Sequence, residues 1–216
     1  MLKNQRYWVL IVNSISLVVA IVVCIIGYQE YKANQKWKKA EFVAKEIKSF
    51  ESNSEIQNAM SLLDWNNRHF LIPKEYTNTS KDEVVIITEE IIIKALQSCQ
   101  NKENYSYACA FVEESFDTFF SYLQRFELYI ESGLINFGDI RPYILYWIQV
   151  IGDKNNKTIS PLYKIHIWKY INKYNFKKIP NLVERFGYNS GALLTPKSIR
   201  DIGSKLSHGG PGKRGK

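Results

Sequence analysis

The feature that most constrains this chain is an apolar stretch near its start, YWVLIVNSISLVVAIVVCIIGY, residues 7–28. As a helix, 22 residues at about 1.5 Å rise each span about 33 Å, close to the hydrocarbon thickness of a bilayer. Thirteen of them are Leu, Ile or Val, which together favour insertion by about 4 to 8 kcal/mol. Tyr7, Trp8 and Tyr28 lie at the two ends, where interfacial aromatic residues are common. The stretch predicts a transmembrane helix over residues 7–28.

A cleaved signal peptide is the alternative interpretation of the same stretch. Signal peptides have a shorter apolar region, about 7 to 15 residues, followed by small residues before the cut. Here the apolar region is longer, and its exit reads VCIIGYQE, without an A-x-A pattern. The sequence therefore favours a retained anchor.

The charges that flank the stretch indicate its orientation. Two basic residues precede it, and four lysines follow it within a dozen residues. Lys and Arg near the ends of a span concentrate on the cytoplasmic side. We therefore expect a single-pass membrane protein whose C-terminal domain is cytoplasmic, with the opposite topology as the alternative.

One face of the predicted span carries small side chains. Ser16, Ala20, Cys24 and Gly27 recur at helical spacing. Small residues on one face let two membrane helices approach closely. The pattern favours a homo-oligomer formed through this helix, although small residues are also common in membrane helices that do not associate.

The remaining 188 residues are enough for one folded domain. Hydrophobic residues make up 45% of the chain and aromatic residues 14%, which excludes a disordered chain. Three cysteines do not form a disulfide framework. Cys24 lies in the predicted span, and we expect Cys99 and Cys109 to be buried thiols.

Hydrophobic periodicity after the span is mostly that of helices. We expect a juxtamembrane helix at 29–50, a helical domain at 51–208 and a disordered basic tail at 209–216. Ser52 and Glu55 stand in the positions of a capping box, so a helix should begin there.

Later segments add to this helical pattern. A β-branched run at 84–87 predicts one short extended segment, and Thr88 then begins a helix. A helix at 105–132 carries an apolar stripe at spacings of 3 and 4, with a glycine after its end. The run at 139–151 is apolar nearly all round and predicts a central buried helix, and two shorter helices follow. The fold class is all-α: one transmembrane helix and a bundle of about six helices.

Charge divides the chain unevenly. Residues 154–216 hold 14 Lys and Arg against two acidic residues, a net charge of +12, whereas residues 1–153 hold 15 against 19, a net of −4; together they give +8. A basic third on a mildly acidic chain indicates an acidic partner: anionic lipid, nucleic acid or an acidic protein surface.

The segment PLYKIHIWKYINKYNFKKIP, residues 161–180, is the best candidate for that contact. Its tyrosines form one helical stripe and its lysines the neighbouring one, as in a helix that lies on a lipid surface. The residues predicted to contact lipid or an acidic partner are Lys164, Lys169, Lys173, Lys177, Lys178, Trp168 and Tyr170. Two alternatives stay open: the tyrosines form core beside merely solvated lysines, or the alternation holds a nucleic-acid strand.

Asp64 and Arg68 in LLDWNNRHF are four residues apart, the spacing of a helical ion pair that Trp65 would cover. We predict a structural pair rather than a ligand site. No metal or cofactor is predicted, because the three histidines are scattered singly and neither H-E-x-x-H nor Glu-x-x-His occurs. HGGPG and GPGKRGK near the C-terminus lack the strands and helices that an oxyanion or phosphate loop requires.

Three short motifs are similar to a set of uncharacterised bacterial single-span membrane proteins: W-x-x-A-E-F at residues 37–42, LLDW at 62–65 and FELYIESGLI at 126–135. The resemblance covers residues 1–150. It implies an N-terminal anchor and a helical domain, and no established activity.

Together these patterns predict a membrane-tethered, non-enzymatic helical module that acts as an adaptor, sensor or assembly partner. A membrane-tethered nucleic-acid-binding protein is the first alternative. An enzyme with an unrecognised site is the second, and Asp64, Arg68 and Glu113 would be its first candidate residues.

Overall fold

The computed structural model describes residues 2–65, 68–74, 83–97 and 106–189, with side chains of the first helix described at Trp8 and from Asn13 onward. The chain is divided into two compact units, Met1–Glu46 and Ile47–Lys216. The described residues are mostly helical, with seven helices and two short strands, which confirms the all-α prediction. The elements are α1 (Leu2–Ser52), α2 (Ser54–Asp64), β1 (Arg68–Ile72), β2 (Glu83–Ile87), α3 (Glu89–Leu96), α4 (Tyr107–Glu131), α5 (Phe137–Gly152), α6 (Pro161–Lys173) and α7 (Lys178–Arg185).

The first unit consists of the part of α1 that ends at Glu46. This helix continues without a break past residue 28, the predicted end of the span. No proline interrupts the helix, and Gly27 is its only glycine. Among the described residues, α1 alone is long and apolar enough to cross a membrane, by length and composition, and no residue of its apolar window is buried.

The second unit begins with the last turn of α1, and α2 follows after one residue. That residue, Asn53, caps α2, since its side chain accepts a hydrogen bond from the Ile56 N–H at 2.9 Å. The predicted cap at Ser52 is wrong by one position, because Ser52 still belongs to α1. An asparagine between two helices has the extended backbone and the side-chain oxygen that a cap requires.

A two-stranded antiparallel hairpin follows α2. Leu71 pairs with Val84, and Phe70 pairs with Val85. The predicted extended segment at 84–87 is therefore present as β2, but its partner β1 was not predicted. The sequence RHFLI has too short a pattern to distinguish a strand from a helix end.

The centre of the second unit is α4, which packs against α2, α3 and α7. Its predicted stripe is confirmed, since Phe116, Phe119 and Leu123 are all fully buried. Thr88 caps α3 as predicted, with its hydroxyl accepting from the Ile91 N–H. Gly133 ends α4 at φ +72°, a left-handed conformation that a side chain disfavours.

The most enclosed helix is α6 rather than α5, the predicted central helix. Eight of the thirteen residues of α6 are buried, including Tyr163 and Trp168. In α5, by contrast, Tyr143 and Tyr146 are 45% and 42% exposed. Hydrophobic periodicity cannot predict which of the two helices is more buried. A helix rich in aromatic and lysine side chains can be buried when its polar atoms find hydrogen-bond partners.

An aromatic cluster joins the end of α1 to α4. The Phe50 ring, 1% exposed, has its centroid 6.2 Å from Phe119, 6.1 Å from Tyr122 and 5.3 Å from Phe126. Tilted and edge-on rings at these separations attract one another beyond their burial. Phe50 therefore fixes the last turn of α1 to the bundle.

Phe50→Ala should destabilise the second unit by about 3 to 5 kcal/mol, because it removes a large buried ring and leaves a cavity. Urea unfolding of the fragment 33–216, followed by circular dichroism, measures the change. Leu128→Ala, at a position 45% exposed on α4, is the control and should alter stability by less than about 0.5 kcal/mol. Equal effects of the two substitutions would contradict this packing.

Candidate functional site

The aromatic half of the predicted contact surface on α6 lies in the core. Trp168 and Tyr170 are each 1% exposed. The Trp168 Nε1–H donates to the Ile151 carbonyl at 2.8 Å, and the Tyr170 hydroxyl donates to Asp117 Oδ1 at 2.7 Å. The prediction that these two side chains contact lipid is therefore wrong: burial with satisfied polar atoms removes them from the surface.

Lys164 is also removed from the predicted surface. Its side chain is buried, and its Nζ donates to the carbonyl oxygens of Asp153 at 2.6 Å and Asn156 at 3.1 Å. Burial lowers the pKa of Lys164, and Asp153 opposes that effect. This lysine fixes the loop between α5 and α6.

Three of the predicted lysines form the exposed remainder. Lys169 and Lys173 lie one turn apart on α6, and Lys177 lies just before α7. We call these three residues the lysine row. Lys178 differs from them, because its Nζ lies 2.5 Å from Glu131 Oε2 in an ion pair between α7 and α4.

Buried charge also joins α4 to α7. The Glu127 side chain is fully buried, and Arg185 Nε donates to both of its carboxylate oxygens, at 2.8 and 2.9 Å. Burial raises the pKa of Glu127, and the Arg185 hydrogen bond only partly offsets that effect. At Glu131, by contrast, the hydrogen bond from Lys178 lowers the pKa.

His166 occupies the side of α6 that faces α3. Its Nε2 lies 3.2 Å from Gln97 Nε2, while its Nδ1 is buried without a hydrogen-bond partner among the described residues. Burial lowers the pKa of His166, and the nearby Lys169 lowers it further. This histidine is therefore a neutral core residue at physiological pH.

The predicted Asp64–Arg68 pair is not formed on one helix, because α2 ends at Asp64 and Arg68 begins β1. The Asp64 carboxylate instead accepts a hydrogen bond from the Tyr146 hydroxyl on α5. The Arg68 guanidinium lies over the Trp65 ring, 5.5 Å from its centroid. Tyr146 was not predicted as a partner of Asp64. In the sequence it is one aromatic residue in a run that is apolar nearly all round, and in the structure it is 42% exposed.

The third candidate of the enzyme alternative lies elsewhere. Glu113 is on α4. The pKa of Tyr170 is raised mainly by burial and by the hydrogen bond to Asp117, and the charge of Glu113 raises it further. Among the described residues, no group of three or more His, Cys, Asp or Glu side chains is placed to hold a metal ion.

The predicted helix–helix face of α1 is exposed along its length, as are the other described residues of the span. Self-association of α1 stays a prediction, and its predicted contact residues are Ser16, Ala20, Cys24 and Gly27. Cys109 is a buried free thiol, as expected. Cys99 and the predicted tail at 209–216 lie outside the described residues.

Comparison of the chain with protein-family models, curated proteins and solved structures found no match. The resemblance to bacterial single-span proteins stays a prediction.

Buried Glu127 predicts a pH dependence of stability. Because its pKa is raised in the folded state above the ordinary 4.5, the folded protein holds this proton more tightly than the unfolded chain. Its contribution to stability is complete below pH 4.5 and is lost as the pH rises through the raised pKa. Glu127→Gln removes this contribution, so wild-type stability minus that of the variant should fall as the pH rises.

Urea unfolding of both proteins, repeated from about pH 4 to about pH 8, measures that difference. Glu51→Gln, at an exposed carboxylate near the end of α1, is the control and should give a flat difference. A difference for Glu127→Gln that rises with pH would contradict the raised pKa.

Proposed function

We propose that this protein is a membrane-anchored, non-enzymatic helical module whose lysine row contacts anionic lipid headgroups. The observation that carries the proposal is that no residue in the apolar window of α1 is buried. The domain would face the cytoplasm, where anionic lipids attract juxtamembrane basic residues.

The solvation of the apolar side chains of α1 favours a membrane anchor. Val18, Val23 and Ile26 are 59%, 62% and 51% exposed, and their apolar neighbours on every side of the helix are similar. Leaving apolar surface in water costs about 25 cal/mol per Å², so a helix exposed in this way is unfavourable outside lipid. Within a bilayer the same residues are stabilising, and the backbone hydrogen bonds of a helix are all internal.

The lysine row favours lipid contact because its three residues are exposed, whereas Lys164 is buried. Each basic residue near an anionic surface contributes about 1 kcal/mol of attraction. Tethering through α1 would also raise the effective concentration of headgroups around the domain. An acidic protein surface is the alternative partner for the same lysines.

The buried tyrosines count against nucleic acid as the partner. Base stacking needs exposed ring faces, but Tyr163 and Tyr170 are 0% and 1% exposed. Tyr174, at 43%, is the exposed exception of the predicted tyrosine stripe. An enzyme is not favoured either, since Asp64 and Arg68 are engaged with Tyr146 and Trp65.

Anchoring predicts that the full chain stays in the membrane pellet after extraction with alkaline carbonate. Deleting residues 1–28 should release the protein into the supernatant, because the remaining chain lacks an apolar span. Immunoblotting of the two fractions, with intact-mass measurement of the full chain, makes the test. A mature chain cut near Gly27 and recovered from the aqueous fraction would identify a signal peptide instead.

Lipid contact predicts that the fragment 33–216 floats with liposomes containing phosphatidylglycerol and not with neutral liposomes. Replacing the lysine row with glutamine, Lys169→Gln, Lys173→Gln and Lys177→Gln together, should weaken partitioning about hundredfold, or about 1 kcal/mol for each charge. Circular dichroism establishes that the fragment and its variants are folded.

The matched control removes three other exposed charges, by Arg141→Gln, Lys154→Gln and Lys157→Gln together. Both triple variants have the same net charge, so a local contact should separate them by at least about tenfold. Equal loss in the two variants would contradict a specific surface. Binding to neutral and anionic liposomes alike would contradict the headgroup attraction.

A further inference from the structure

A cleft of about 300 Å³ opens to solvent between α2 and α5. This volume is at the lower end of the range for small-molecule sites. Its lining combines one carboxylate, two indole rings, a thioether and two uncharged polar side chains. The residues are Gln57, Met60, Ser61, Asp64, Trp65 and Trp147. Among the described residues that line the cleft there is no lysine or arginine, and the lysine row lies on other elements.

The carboxylate of the cleft is held in place without being neutralised. Asp64 is the last residue of α2, and the Tyr146 hydroxyl donates to its Oδ1. Among the described residues, no basic side chain forms an ion pair with Asp64. The hydrogen bond that the Tyr146 hydroxyl donates to Asp64 raises the pKa of Tyr146, so the phenol stays protonated and remains a donor. The cleft therefore presents one oriented negative charge.

The aromatic walls are accessible to a ligand. Trp65 is 59% exposed, because the backbone turns from helical to extended at this residue. Trp147 is partly exposed, and its ring meets that of Tyr146 edge-on, with centroids 4.8 Å apart. Arg68 already lies 5.5 Å from the Trp65 centroid, so this ring attracts a cation within the protein itself.

We propose that this cleft binds a small organic cation with an apolar body, of the quaternary ammonium class. The indole rings would contact the methyl groups through cation–π attraction, and Asp64 would balance the charge. Gln57 and Ser61 can hydrogen-bond a hydroxyl group on the same ligand. An anion is disfavoured by Asp64, and a metal ion would need more oxygen ligands than one carboxylate supplies. The site is independent of the proposed lipid contact, so either proposal can fail alone.

Choline is the probe, measured by isothermal titration calorimetry on the full chain in a polyoxyethylene detergent, which carries neither an ammonium group nor a sugar. Its uncharged isostere, with carbon in place of the quaternary nitrogen, is the matched ligand control. We expect saturable binding of choline and at least about tenfold weaker binding of the isostere, since only choline has the charge.

Asp64→Asn keeps the size of the side chain and should weaken choline binding about tenfold. Trp65→Leu and Trp147→Leu should each weaken it about fivefold. Glu55→Gln on α2 and Trp37→Leu on α1 are controls of the same chemical kind outside the cleft, and both should leave binding unchanged. Tyr146→Phe retains the carboxylate but removes the hydrogen bond that orients it, so it should weaken choline binding less than Asp64→Asn does.

Several outcomes would overturn the proposal. No saturable heat with choline, or equal binding of the isostere, means that the cleft does not select a cation. Wild-type affinity in Asp64→Asn places any binding elsewhere. Saturable binding of glucose in place of choline identifies a carbohydrate cleft. A loss of affinity in Glu55→Gln or Trp37→Leu equal to that in the cleft variants indicates nonspecific attraction.

Discussion

The burial of α6 is the constraint on which the rest of the second unit depends. Its two buried tyrosines and its tryptophan enter the core with polar atoms that are hydrogen-bonded, and an unbonded buried polar group costs several kcal/mol. The Tyr163 hydroxyl donates to the Leu62 carbonyl on α2, that of Tyr170 donates to Asp117 on α4, and the Trp168 indole donates to Ile151 on α5. One helix thus fixes the positions of three others. Lys164 extends the same principle to the loop after α5, where its ammonium group bonds two carbonyl oxygens.

This arrangement also decides which charges reach the surface. A lysine on α6 is either buried or exposed, according to the side of the helix on which it lies. Lys164 is buried and bonds two carbonyl oxygens, whereas Lys169 and Lys173 are exposed. The basic surface is therefore narrower than the composition of the segment indicates, and of the predicted tyrosine stripe Tyr174 alone is exposed beside it. Such a surface suits headgroup phosphates better than nucleic-acid bases.

The end of α2 shows that two charged residues with helical spacing need not form an ion pair. Asp64 and Arg68 have helical spacing, but α2 stops at Asp64, and Trp65 turns into extended backbone. The residues then find separate partners: Asp64 accepts from Tyr146, 82 positions later, and Arg68 lies over Trp65. Local spacing describes an interaction only while the helix continues. Beyond its end, tertiary contacts determine where each charge goes, and here they leave a carboxylate in an aromatic cleft.

The sequence by itself determined the apolar first helix, the all-α class, the buried stripe of α4 and the cap at Thr88, because each depends on side chains within one or two turns of one another. The sequence also predicted that the lysines at 169, 173 and 177 are accessible, and the structure shows them exposed. Only the tertiary structure decided that Trp168, Tyr170 and Lys164 are core, that β1 pairs with β2, and that Tyr146 meets Asp64. Those outcomes depend on hydrogen-bond partners far along the chain. A pattern of hydrophobic and charged residues records the periodicity of a helix, but not the distant atoms that will satisfy its polar groups.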